Sequence, residues 1–282
     1  MSLVAILGAG PLGANTAERL ARTGWCRHIV LIDPDRGVAA GKALDLCQAA
    51  ILEPSDTRVT ASDDAAACAS AAVIIVADDA SSASELQGEA ALALLGRTAR
   101  ANHEAPILCA GNTHRWLVDH AQFELPRSRG RVVGTAPHAL QGALEAVVAA
   151  RMGTSALDVR IPLLGVAPGR VIVAWDHARV DGQAAMTRCD VQVLRSIERD
   201  LMRLSPLGPY ALASAASAAT VACLTMSPRR FTCHVPIDVG EAAGCVGMAS
   251  VRLGPRGVVD VQVPSLTAQE RLAMERAVRQ PA

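Results

Sequence analysis

The sequence predicts an α/β protein, a doubly wound parallel sheet followed by an α+β C-terminal region. Three observations carry this. Short apolar runs alternate with helical stretches through roughly the first half of the chain. A glycine-rich turn, Gly8-Ala9-Gly10-Pro11-Leu12-Gly13, directly follows the first apolar run. Near the other end, alternating apolar segments flank Gly254-Pro255-Arg256-Gly257, which makes a hairpin and so antiparallel pairing. The 282 residues are enough for two domains, expected at 1–136 and 137–282.

In chain order, residues 3–7 read as a buried strand and residues 14–23 as a helix closing on Gly24. His28-Ile29-Val30-Leu31-Ile32 is a second strand, ending in Asp33 and completing a βαβ unit of Rossmann type. Further strands are expected at 72–77, 106–110 and 131–135, with a helix around 85–101. Residues 204–228 are uncharged but rich in Ala and Ser, which fits a tightly packed interior helix better than a membrane span. Its Tyr210, Ser214 and Ser217 are read as helix packing. After the hairpin (251–253 with 258–263), Thr267 and Glu270 form a capping box opening a last helix to about Arg279.

The glycine turn has the chemistry of a dinucleotide site. Gly8 permits the tight turn, Gly10 lets backbone approach a pyrophosphate, and Gly13 lets the helix pack on the strand. Pro11 and Leu12 open the helix, whose N-terminal N–H groups suit phosphate. Asp33 can accept hydrogen bonds from an adenosine ribose and would repel a 2′-phosphate, so the expected cofactor is NAD.

Composition narrows the alternatives. With 27 basic and 27 acidic residues the formal net charge is zero, leaving no positive field for nucleic acid. The start of the chain has no basic segment of secretory type, and neither a membrane role nor export is expected, so the cytoplasm is the expected compartment. Eight scattered cysteines without CxxC spacing read as buried thiols. No His or Cys spacing suggests a metal, and no GxSxG nucleophile turn is present.

Taken together, residues 8–13, Leu31-Ile32-Asp33, Gly41-Lys42-Ala43-Leu44-Asp45-Leu46, 132–136, 209–219 and the terminal hairpin and helix resemble the lactate/malate dehydrogenases. The resemblance implies a homodimer or dimer of dimers formed in part through the Lys42 helix, and a small-molecule ligand in the cleft between the domains. It adds Ala77, at a strand end, and Asn112, near the nicotinamide ribose, to the cofactor residues. It also implies a His acid/base tuned by an Asp, an Arg clamping a substrate carboxylate, and Arg residues on a mobile loop. At the matching positions this chain carries Leu140 for the Asp, Ala143 for the clamp Arg and Ala167 for the His. The loop, Asp78-Asp79-Ala80-Ser81-Ser82-Ala83-Ser84, is short and has no cation, and Asp78 replaces a customary glycine.

Two functions follow as expectations. The favoured one is an NAD-binding protein degenerate for 2-hydroxy-acid oxidoreduction, with a cofactor-responsive binding or scaffold role. The alternative is an active NAD-dependent oxidoreductase on CH–OH donors, with His138 as a relocated acid/base and Arg170 as a new anion site. His114 and Arg115 are a further pair near Asn112. His28, His103, His120, His177 and His234 are read as structural, His234 in a loop.

Overall fold

A computed structural model of the chain describes residues 2–52, 55–125, 130–238, 240 and 243–279. β1 (Leu3–Leu7) is buried from Val4 onward, as a strand covered on both faces must be. It enters Gly8, whose φ of +94° is a left-handed-side conformation that favours glycine. α1 (Pro11–Thr23) begins with proline where a missing N–H is harmless and stops at Gly24 in the αL conformation.

β2 (His28–Ile32), α2 (Arg36–Leu52), β3 (Arg58–Ser62), β4 (Val73–Val76), α3 (Gly88–Ala101), β5 (Ile107–Cys109), α4 (Arg115–Glu124) and β6 (Val132–Gly134) complete the first half. Its strands are all parallel in the order β3-β2-β1-β4-β5-β6. The order reverses between β1 and β4, and such a switch point opens a crevice at the carboxyl ends of the strands.

The second half comprises α5 (Ala136–Met152), β7 (Val159–Arg160), β8 (Leu163–Val166), β9 (Arg170–Val173), β10 (Arg179–Val180), β11 (Gln183–Ala184), α6 (Ala185–Arg188), α7 (Val191–Leu201), α8 (Pro209–Thr225), β12 (Arg230–Pro236), β13 (Val246–Gly254), β14 (Gly257–Gln262) and α9 (Ala268–Val278). β12 joins β6 antiparallel through His234 opposite Gly134. A Cβ on Gly134 would lie 2.9 Å from that of His234, so the glycine admits the junction. The sheet therefore continues without a break into β12-β13-β8-β9. Residues 230–236, expected as loop around His234, are instead a strand buried from Phe231 through Val235.

The hairpin and capping box fall where the sequence places them. α8 is the interior helix, with Leu212, Ala216, Thr220 and Cys223 among its buried residues, and its Ser217 hydroxyl donates to the Thr16 carbonyl of α1 at 3.4 Å. None of the described helices is long and apolar enough to cross a membrane. All eight thiols are free, six of them buried and Cys47 and Cys245 partly exposed. Burial pushes Cys26 up to about 11 and Cys109 and Cys223 up to about 12.

Candidate functional site

The glycine turn and the start of α1 form the cradle expected to receive a pyrophosphate, and their donors can be counted one by one. Gly8 N–H donates to the Ile32 carbonyl at 2.7 Å and Gly10 N–H to the Asp78 carbonyl at 2.9 Å. Ala9 N–H donates to Asp33 Oδ2 at 2.8 Å. Pro11 has no N–H. Leu12 and Gly13 N–H, the groups that should face phosphate, donate to Asp78 Oδ2 and Oδ1, each at 2.8 Å. Asp78 is 4% exposed. Burial raises its carboxyl above the ordinary value, against the opposing pull of the Leu12 and Gly13 N–H groups, its own backbone and Lys42.

Space is used in the same way. A Cβ on Gly10 would lie 2.6 and 2.7 Å from the two Asp78 carboxylate oxygens. The clearance that glycine creates for a ligand is thus taken by Asp78. Asp33 is equally engaged: Oδ2 also accepts from Ala80 N–H at 2.9 Å, and Oδ1 accepts from Asp35 N–H at 2.9 Å. Lys42 Nζ turns inward to the Ala9 carbonyl. Ala77 is buried and bonded through its backbone to Leu7 and Leu86.

The segment that follows is a structured strap. Asp78 and Glu85 form an antiparallel bridge. Between them Asp79 gathers Ser81 and Ser82 through both backbone and hydroxyl groups, and these bonds, led by the Ser81 hydroxyl, hold its carboxyl down at about 2. At the far end Glu85 Oε1 accepts from Asn112 N–H at 2.6 Å and Oε2 from Thr113 N–H at 2.8 Å. Burial raises the Glu85 carboxyl, but the Thr113 donors, the neighbouring His114 and Asn112 outweigh it, and the net direction is down. The Asn112 side chain then exchanges two 3.0 Å bonds with the backbone of Leu207.

Asn112, Ala136, Leu140, Ala167, Leu207 and His234 line one cavity of about 550 Å³. The structure thus brings together the positions where the resemblance puts the tuning Asp and the acid/base His, and fills them with Leu140 and Ala167. Reading the sequence missed His234. It is 1% exposed, its Nε2 has no hydrogen-bond partner, and burial, aided by Arg115, holds it down at about 3. The signal that could have found it is the alternation of Phe231, Cys233 and Val235 with Thr232 and His234, a strand period, although both sets are buried.

His138 and Arg170, offered as a relocated acid/base and a new anion site, are not among the residues lining this cavity. His138 is turned into a separate cavity of about 650 Å³ with Gln141, Glu145, Arg160 and Arg229, its ring edge-on to Phe231. Arg170 is exposed and donates to the Arg276 carbonyl at 3.3 Å. His114 and Arg115 are buried in structural roles: His114 Nδ1 accepts from Gly111 N–H at 2.9 Å, and Arg115 bonds the Val246 and Val278 carbonyls. His28, His120 and His177 likewise have protein partners.

A parallel sheet with a glycine turn at its switch point, an acid ending β2 and a second antiparallel region define the class of NAD-linked dehydrogenase folds. Residues 2–104 match the NAD binding domain of the lactate/malate dehydrogenases. The malate dehydrogenase of Nitrosococcus oceani is 26% identical over 98% of this chain and 94% of its own length. That of Pseudomonas putida (strain GB-1) is 48% identical over 59 residues, 21% of this chain and 19% of its own. Among solved structures, the malate dehydrogenase of Salinibacter ruber superposes with a TM-score of 0.84 at 22% identity, covering 98% of this chain and 93% of its own. The lactate dehydrogenase of Cryptosporidium parvum, complexed with lactic acid and nicotinamide adenine dinucleotide, superposes at 0.87 with 19% identity over 98% and 94%. Residues 2–104 thus match the NAD binding domain of the lactate/malate dehydrogenases, and over its whole length the chain is similar to malate dehydrogenases.

NAD is the cofactor of the domain that residues 2–104 match. In the arrangement described here the cradle does not fit its pyrophosphate, because Asp78 holds the Leu12 and Gly13 donors and the space beside Gly10.

Proposed function

We propose that this chain is a lactate/malate dehydrogenase-family protein that no longer performs 2-hydroxy-acid oxidoreduction and acts as a cofactor-responsive binding protein. One observation carries the reading: the cavity beside Asn112 presents Leu140 and Ala167 where that reaction requires an acid/base pair. An aliphatic side chain and a methyl group can neither carry a hydroxyl proton nor orient an imidazole. The strap supplies no cation to polarise a carbonyl. A small, largely apolar molecule is the ligand this cavity suits, and a homodimer in the cytoplasm is the setting the reading assumes. The alternative of a relocated acid/base would place the reaction in the other cavity, which His138 lines.

The test is turnover. Purified protein with NAD and malate or lactate is expected to form no NADH above the protein-free control. The Leu140→Asp, Ala143→Arg, Ala167→His triple variant is expected to stay inactive too, for want of loop arginines. Sustained NADH formation by the unaltered chain would overturn the reading.

A further inference from the structure

We propose that Asp78 is a built-in stand-in for the dinucleotide pyrophosphate: the chain holds its own cofactor cradle closed, and NAD enters only by expelling this carboxylate. The proposal rests on the reading of the chain as cofactor-responsive.

The geometry is that of an anion at a helix N-terminus. Two successive N–H groups of α1, Leu12 and Gly13, grip the two carboxylate oxygens at 2.8 Å each, and Gly10 N–H takes the carbonyl of the same residue at 2.9 Å. One residue therefore uses three donors that the glycine turn offers. Such bonds combine charge assistance with the favourable end of the helix dipole, the same physics that binds a phosphate there. The competitor is also covalently tethered beside its site, so it acts at a high effective concentration that a free ligand must overcome. Asp33 reinforces the closure, since its carboxylate is bonded to Ala9, Asp35 and Ala80 N–H groups.

The strap makes the closure more than a local plug. Its other end, Glu85, grips the Asn112 and Thr113 N–H groups, and Asn112 grips Leu207 at the rim of the apolar cavity. Residues 78 and 85 are themselves bridged. Removing Asp78 from the cradle therefore pulls on the latch that shapes the cavity. This is a route by which the cofactor would change access to a second ligand.

The experiment compares the unaltered chain, Asp78→Gly and Asp78→Asn in calorimetric titration with NADH and with ADP-ribose, which keeps the pyrophosphate but lacks nicotinamide. Hydrogen exchange of the Leu12, Gly13, Asn112 and Thr113 amides, without ligand, is read alongside. Asp78→Gly is expected to bind both probes at least tenfold more tightly than the unaltered chain, with Asp78→Asn between them. The Leu12 and Gly13 amides should exchange faster in Asp78→Gly. Equal, measurable affinity in all three proteins would overturn the stand-in and leave the cofactor-responsive reading intact. Tight binding by Asp78→Gly with none by the unaltered chain would support the stand-in and overturn the cofactor-responsive reading. Binding by none of them, at probe concentrations up to the millimolar range, would overturn both. Unchanged thermal midpoints and circular dichroism distinguish a lost plug from a lost fold.

Discussion

His114, His138 and His234 are imidazoles that burial keeps neutral. Burial holds His138 down at about 4, with Arg229 acting in the same direction, and His234 at about 3. His114 is also lowered by burial, partly opposed by the Glu85 charge. In an unfolded chain each would titrate near pH 6.5. Between that value and the folded one, the unfolded state holds more protons, so stability is full above about pH 6.5 and is lost as pH falls. Asp78 and Glu145, whose carboxyls burial raises, act with the opposite sign and temper the slope just above the ordinary carboxylate range. The thermal midpoint is expected to fall between pH 7 and pH 5. His138→Gln should remove about 2 kcal/mol of that loss, read from denaturant curves at the two pH values. An unchanged slope in the variant would show that His138 does not titrate across the unfolding transition.

At the scale of elements, the join of β1, α1 and β4 separates two reasons for glycine. Gly10 must lack a side chain because the Asp78 carboxylate sits there, whereas Gly8 combines φ of +94° with the Asp78 backbone, whose carbonyl carbon would lie 2.7 Å from a Cβ. Gly10→Ala is expected to destabilise the chain by about 1–3 kcal/mol through overpacking, and to become nearly neutral in an Asp78→Gly background. Gly8→Ala should cost a similar amount in both backgrounds. Denaturant midpoints of the four proteins measure this cycle, and a Gly10→Ala penalty that survives Asp78→Gly would refute the steric account. The same region shows why most elements could be read early. β1, β2, β4, β5 and β6 are buried on both faces and so appear as unbroken apolar runs. β12 carries a different signal: Thr232 and His234 alternate with Phe231, Cys233 and Val235 as in a half-exposed strand, yet the polar pair is itself buried and so hid its surroundings. α4, with Arg115 and Gln122 turned inward, was hidden for the same reason.

For the molecule as a whole, one unbroken sheet and the contact of α1 with α8 tie the two halves together. Leu140, Ala143 and Ala167, where the resemblance puts catalytic groups, were legible from local register, since each is a single residue near a strand. The closed cradle was legible only as an acid, Asp78, where a glycine is customary beside the pyrophosphate; its hydrogen bonds were not. It depends on a side chain meeting N–H groups 65 and 66 residues earlier in the chain, and nothing local marks that pairing. His138 and Arg170 have different surroundings, which local sequence could not show, because closeness to a strand end does not say to which side a helical residue turns.

The distribution of sulfur gives this architecture a clock. Native protein exposed to an alkylating reagent is expected to gain at most two adducts, at Cys47 and Cys245. Of the six protected thiols, Cys26, Cys68 and Cys109 belong to the first half and Cys189, Cys223 and Cys233 to the second. If the continuous sheet opens as one unit, mass spectra taken along a denaturant series will step from two adducts to eight with few intermediates. A plateau at five would instead date the opening of one half before the other.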